Sequence, residues 1–288
     1  MSGKRMKNLG KVFKELRESR KISLRKATGG RFSASLLSRF ENGQSEISAQ
    51  KLFAALENIH ANVEELLFLA RDFHHDANSE FRNQLFKAVN PKDLTSLHTL
   101  YQREYQKIPF SKDKQEHILN AILIKSYMKA IDETITLTSE EERVLHDYLF
   151  SVEIWGLYEL SFFSFCSPLL SVQLLTKYTR EMLRKSDFLQ GVGKNRNMMH
   201  TLLLNGFMTC IEADDFTNAL YFKKQIEKNF FEENETYFRI VYLWAEGLLD
   251  SKQGRVEDGQ RKMEDAVRIF EMIGCSKSAD YYRSAIEC

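Results

Sequence analysis

At 288 residues the chain is too long for one compact core and suits two domains. Its 21 Phe and 11 Tyr can fill a large core, and only 3 Pro and 13 Gly punctuate the chain, so long uninterrupted helices are predicted. The net charge of +1 hides a split: residues 1–45 carry twelve Lys/Arg against three Asp/Glu, while residues 71–288 carry 28 against 33.

A head of net charge +9 on a body of −5 points to a polyanion partner at the head, or to a solvated basic helix face. The start Lys4-Arg5-Met6-Lys7 leads into an amphipathic helix and not into the apolar stretch of a signal peptide. In that helix Leu9, Phe13 and Leu16 share one face, and Arg17, Arg20 and Lys21 sit near its C-terminal end, where cations suit the dipole. Ser23 is the expected N-cap of a short helix from Leu24 to Thr28, with the turn at Gly29-Gly30. Ser33 caps a third helix running to about Asn42 and closed by Gly43. On it Leu37 and Phe40 face inward, Ser35 and Arg39 face outward, and Leu36 and Ser38 lie on the flanks. A short helix with an apolar back and small polar residues plus Arg in front suits a DNA major groove. Ser48 caps a fourth helix bearing Leu52, Leu56 and Ile59; Asn62 caps a fifth, with Val63, Leu66 and Leu67 closing the core.

This five-helix pattern resembles the repressor-type helix-turn-helix domain of phage regulators. The run from Ser35 to Gly43, followed by Ser45-Glu46-Ile47-Ser48, is similar to the Rgg family (Rgg/GadR/MutR) of streptococci and relatives. The resemblance implies that Arg17 pairs with Glu41 to brace the first helix on the third, and that Ser35, Leu36 and Arg39 face bases. Relatives commonly have Gln where this chain has Leu36, and leucine cannot read adenine bidentately. Readout is therefore expected to lean on Arg39, flanked by Ser33 and Ser38, with Arg25, Lys26 and Arg31 on phosphates. Some relatives carry a Cys near the position of Ser45 that crosslinks two heads; this chain carries no such link over.

Residues 69–80 read as a linker between a head of residues 1–68 and a body of residues 81–288. His74, His75 and Asp76 invite a metal reading, but neighbours on a helix diverge by about 100° and do not converge on one ion. From Phe81 onward, helical periods recur between breaks near Asn90-Pro91, Ile108-Pro109, Leu137-Thr138, Ser167-Pro168, Gln190–Gly193, Asp214, Glu232–Glu235, Gly254 and Gly274. Pairing them gives about five hairpins of ~35–40 residues, the period of a tetratricopeptide-like α-solenoid, with a generic bundle as the alternative. Ala219 stands at a close-packing position, and Ser276 to Cys288 reads as a capping helix.

The Rgg resemblance extends along nearly the whole chain, including Val152 to Leu160, and implies a helical-repeat receptor for a short hydrophobic signalling peptide. An extended peptide needs amides for its backbone, apolar pockets and cations for its carboxylate. Candidates on the first helix of each pair are Asn120, Trp155, Tyr158, Glu159, Asn197, Asn205, Tyr237 and Arg239; each also has a purely structural reading. Catalysis has no support: His60, His98, His117, His146 and His200 are scattered, and Gly191-Val192-Gly193 is too short for a phosphate loop. The cysteines Cys166, Cys210, Cys275 and Cys288 lack metal or redox spacing, and the apolar stretch Leu157 to Leu170 is interrupted by Glu159 and Pro168. The expected protein is an all-α, cytoplasmic, homodimeric regulator that binds promoter DNA and a short hydrophobic peptide, with no enzyme activity, metal, cofactor or membrane partner. Two alternatives stay open: a DNA-anchored scaffold whose repeats dock a partner protein, and a phage-type repressor with an oligomerising tail.

Overall fold

The computed structural model describes residues 8–71, 79–89, 93–186, 191–228 and 230–286, and among them every regular element is helical. The proposed His74, His75 and Asp76 cluster and the break at Asn90-Pro91 lie outside the described residues. The chain divides into two compact units, Met1–Lys87 and Ala88–Cys288, described here in turn.

The first unit opens with five short helices: α1 (Leu9–Ser19), α2 (Leu24–Thr28), α3 (Ala34–Glu41), α4 (Ala49–Asn58) and α5 (Val63–Ala70). Each starts on a side-chain cap, because the first amides of a helix have no partner within it. Asn8, Ser23, Ser33, Ser48 and Asn62 supply the accepting oxygens, and Asn62 closes a capping box with Glu65. Three of the five stop in the same manner. Lys21, Gly43 and His60 take left-handed backbone, and the next amide reaches back five residues, as in Ile22 to the Arg17 carbonyl at 3.2 Å.

Between these ends a small core forms from Val12, Phe13, Leu37, Phe40, Leu56, Ile59 and Leu66. Leu9, Leu16 and Leu52 are only half-buried against it, and Val63, expected inside, is exposed. The crossing of α1 over α3 is close enough to require glycine. A Cβ on Gly10 would stand 1.9 Å from the Phe40 carbonyl oxygen.

Helix α6 (Ser79–Val89) precedes the second unit's own helices. These are α7 (Leu94–Lys107), α8 (Lys114–Lys129), α9 (Ser139–Ser151), α10 (Leu157–Cys166) and α11 (Val172–Ser186), then α12 (Gly193–Glu212), α13 (Phe216–Lys228), α14 (Thr236–Lys252), α15 (Val256–Met272) and α16 (Ser276–Ser284). Single 3-10 turns at Ile108–Phe110 and Ser167–Leu169 begin beside Pro109 and Pro168, where an α-helix cannot continue. Helix α8 touches α10, α10 touches α12 and α12 touches α14, so the first helices of successive pairs form one continuous row. That is the stacking of an α-solenoid. Four pairs, α8/α9 to α14/α15, follow one another, not five. Helix α7 packs on α8 ahead of them, and α16 packs on α15 in the capping position.

The turns after α12, α14 and α15 repeat the head's stop signal. Asp214, Gly254 and Gly274 are left-handed, and Asp215, Arg255 and Cys275 bond back to the carbonyls of Cys210, Asp250 and Phe270. Small residues set the pair spacing: Ala219 is fully buried, and a Cβ on Gly206 would meet the Phe222 ring at 2.5 Å. One apolar core runs the length of the unit. Within it Tyr178 of α11 meets Phe150 of α9 and Phe163 of α10 at ring distances of 5.6 and 6.0 Å. The buried polar centre is Glu141 of α9, fully enclosed, which accepts from Lys125 Nζ at 2.6 Å, the Thr138 amide at 2.7 Å and the hydroxyls of Tyr101 and Tyr105. Every oxygen of that carboxylate is used, as burial of a charge requires.

Candidate nucleic-acid interface and ligand groove

The inward face of α3 sets its outward one. Leu37 is fully buried and Phe40 and Glu41 nearly so, and Ser35 and Arg39, about half a turn away, are exposed. Leu36 and Ser38 are half-buried on the flanks. Arg25, Lys26, Arg31 and Ser33 are also exposed. The Ser33 hydroxyl accepts the Leu36 amide at 3.2 Å, so its first role is the cap of α3. None of Arg25, Lys26, Arg31 and Arg39 forms an ion pair among the described residues, so each keeps its full charge for a polyanion.

Behind this face the Arg17 guanidinium grips Glu41 with two bonds, Nε to Oε1 at 2.6 Å and Nη2 to Oε2 at 2.7 Å. Its Nη1 donates to the Ile22 carbonyl at 2.8 Å, tying in the turn before α2. Both side chains are buried, which separates this pair from a loose surface contact. The Glu41 hydrogen bond raises the Arg17 pKa above its ordinary value, against the opposing effect of burial. The pair therefore ties the C-terminal end of α3 to α1.

In the second unit the row α8, α10, α12 and α14 leaves one face of each helix open. On α12 that face carries Asn197, Thr201, Asn205 and Met208, spaced by three or four residues and exposed or half-buried. Asn205, half-buried, has no side-chain partner among the described residues, so its amide is available. On α8 the corresponding stripe is Glu116, Asn120, Leu123 and Tyr127, and on α10 it holds Tyr158, Ser161 and Phe165. Tyr127 and Phe165 touch at 5.8 Å, joining the two stripes. Thr201, Met208, Tyr127 and Phe165 were not among the sequence candidates. Extending the helical period from Asn197 and Asn120 along each helix would have found Thr201, Met208 and Tyr127.

Four candidates are engaged within the fold. Trp155 lies before α10 and not within it, is fully buried, and spends its indole N–H on the Leu149 carbonyl at 3.1 Å. Glu159 closes the start of α10: its carboxylate accepts the Gly156 amide at 2.9 Å and the Tyr148 hydroxyl at 2.8 Å. Arg239 is taken by the carbonyls of Phe231 and Glu232 and lies over the Phe230 ring. Tyr237, though half exposed, turns toward Phe270 of α15, 5.7 Å between rings, and so away from the row. Asn120 lies on the open stripe of α8 and donates to the buried Glu104 carboxylate at 3.3 Å. No group of His, Cys, Asp and Glu among the described residues could hold a metal ion, and no helix of the described residues is long and apolar enough to cross a membrane.

Residues 98–284 match the family model of the HTH-type transcriptional regulator Rgg, C-terminal domain. The SHP pheromone receptor Rgg2 of Streptococcus dysgalactiae, solved as a single-residue variant, is 27% identical; the match covers 98% of this chain and 99% of that one, with a TM-score of 0.82. A PrgX/cCF10 complex shares the fold at 17% identity, with a TM-score of 0.71 over 97% of this chain and 98% of that one. A bacterial peptide pheromone receptor solved with its pheromone likewise shares the fold, at 18% identity and a TM-score of 0.72, over 98% of this chain and 97% of that one.

Proposed function

Because the chain belongs to the Rgg family of HTH-type transcriptional regulators, we propose that it binds promoter DNA through α3 and takes a short hydrophobic signalling peptide along the row α8, α10, α12 and α14. The family is one of transcription regulators and not of enzymes. The observation that carries the peptide reading is the open stripe Asn197, Thr201, Asn205 and Met208 on α12. Polar groups there can satisfy a peptide backbone, and the apolar neighbours Tyr127 and Phe165 can cover its side chains. Similarity over 99% of the length of a pheromone receptor supports the same reading.

On the DNA, Arg39 and Ser35 contact base edges and Leu36 reaches at most a thymine methyl, with Arg25, Lys26 and Arg31 on phosphates. The Arg17–Glu41 brace fixes the angle at which α3 enters the groove. Two copies on a twofold axis would read half-sites about one helical turn, ~34 Å, apart. The peptide acts by favouring one arrangement of the receptor over another. Selection of bound duplexes from a random pool, at fixed salt, followed by titration of hydrophobic peptides onto the full chain, tests both halves. A selected site with dyad symmetry and saturable peptide binding weakened by Asn205→Ala are expected. An intact DNA affinity with no peptide bound would overturn the receptor half.

A further inference from the structure

At the elbow between α7 and α8 a hollow of about 540 Å³ is lined by Arg103, Gln106, Lys107, Phe110, Ser111 and His117. Beneath it lies Glu104, only 3% exposed. Its carboxylate accepts from Lys107, from His117 Nδ1 at 2.8 Å and from Asn120 Nδ2 at 3.3 Å. Burial alone would raise the Glu104 pKa, and these three donors together hold it below its ordinary value. A carboxylate only accepts, so His117 Nδ1 carries the hydrogen of this bond. A buried anion that holds Lys107, an ammonium with further N–H groups to give, at an opening is the support a binding site needs, and is a costly way to add stability alone.

The surroundings agree in charge. Within a body of net −5, residues 103–114 carry four cations (Arg103, Lys107, Lys112, Lys114) against two carboxylates. Of those two, Glu104 is engaged as described and Asp113 caps α8. Arg103 is exposed and forms no ion pair among the described residues. At the rim stands Phe110, 91% exposed. A lone exposed ring carries no meaning by itself; here it borders a cationic hollow in which Glu104 already holds Lys107.

We propose that this hollow binds the oxyanion of a small ligand, carboxylate or phosphate, between Arg103 and Lys107, with Phe110 against the ligand's apolar part. The site lies wholly in the second unit. Asn120, which shares Glu104 with it, connects it to the open stripe of α8.

Calorimetric titration of the full chain with acetate, phenylacetate, inorganic phosphate and phenyl phosphate tests the site. The aryl-bearing anions are expected to bind about tenfold tighter than their simple counterparts, the step that one well-placed apolar contact can supply. Arg103→Ala should weaken every anion by about tenfold, the loss of one charge-assisted hydrogen bond. Phe110→Ala should abolish the aryl advantage and leave the simple anions unchanged. Both positions are exposed, so helix content should stay that of the wild type. Stronger binding of phenyl phosphate than phenylacetate assigns a phosphate ligand, and the reverse a carboxylate. Absence of saturable binding by all four anions, or affinities unmoved by Arg103→Ala, would overturn the proposal.

Discussion

Head and body bury their charges differently. In the head a single bidentate pair, Arg17 with Glu41, joins two helices 24 residues apart, with one ring contact beside it, Phe13 to Phe40. In the body Glu141 draws on Lys125, Tyr101 and Tyr105 from two other helices and on Thr138 at the cap of its own, and aromatic contacts run on through Phe150, Phe163 and Tyr178. One bond set therefore ties α3 to α1, whereas the repeats share their support among many groups. A head built this way is sensitive to single changes. A body built this way should tolerate more of them.

The largest expected effect breaks the head alone. Arg17→Ala leaves Glu41 buried without its partner and should cost the head about 3–5 kcal/mol. Denaturation followed by a probe in each unit should show the head's transition moved and the body's unchanged. Acid should reverse the order. Burial opposes it, but the bonds from Lys125, Thr138 and Tyr101 hold the Glu141 pKa below its ordinary 4.5. A depressed pKa gives stability that is complete above pH 4.5 and lost as pH falls through the folded value, so the body should weaken in that window. A body midpoint flat with pH down through that range would contradict the role given to Glu141.

Smaller effects sharpen the contrast. Gly10→Ala drives a methyl into the Phe40 carbonyl and should destabilise the head by about 1–3 kcal/mol through overpacking. Arg39→Ala should leave the melting curve unchanged and lower discrimination between selected and random duplexes by about 1–3 kcal/mol. Unchanged sequence preference would mean that another face of α3 reads the DNA. Asn205→Ala is the mildest: peptide affinity should fall by about 1 kcal/mol with DNA binding intact.

The head was more legible than the body because its signals are local. Ser23, Ser33, Ser48 and Asn62 announce helix starts within three residues, and Gly43 announces a stop. Lys21 and His60 make the same left-handed stop without glycine, and no local rule separates them from ordinary helix residues. In the body, periodicity located the helices but not their neighbours. Whether Trp155 fills a core or lines a groove depends on α9 and α11 closing around it, and the backbone amide of Trp155 bonds to the distant Lys185 carbonyl at 3.2 Å. Tyr237 and Arg239 sit two residues apart on α14, yet one turns to α15 and the other to the carbonyls before the helix. Asn197 and Asn205, by contrast, share the open face of α12, because eight residues leave them about 80° apart around the helix, with Thr201 on the turn between.

The most direct measurement is transcription reconstituted on a template bearing the selected site, with the full chain present, with and without a peptide shown to bind it. The expected result is an output that changes severalfold with peptide, fails to respond in Arg39→Ala because the site is lost, and responds only at higher peptide concentration in Asn205→Ala. An output that stays constant while the wild-type chain is saturated with peptide would contradict the coupling of the two units.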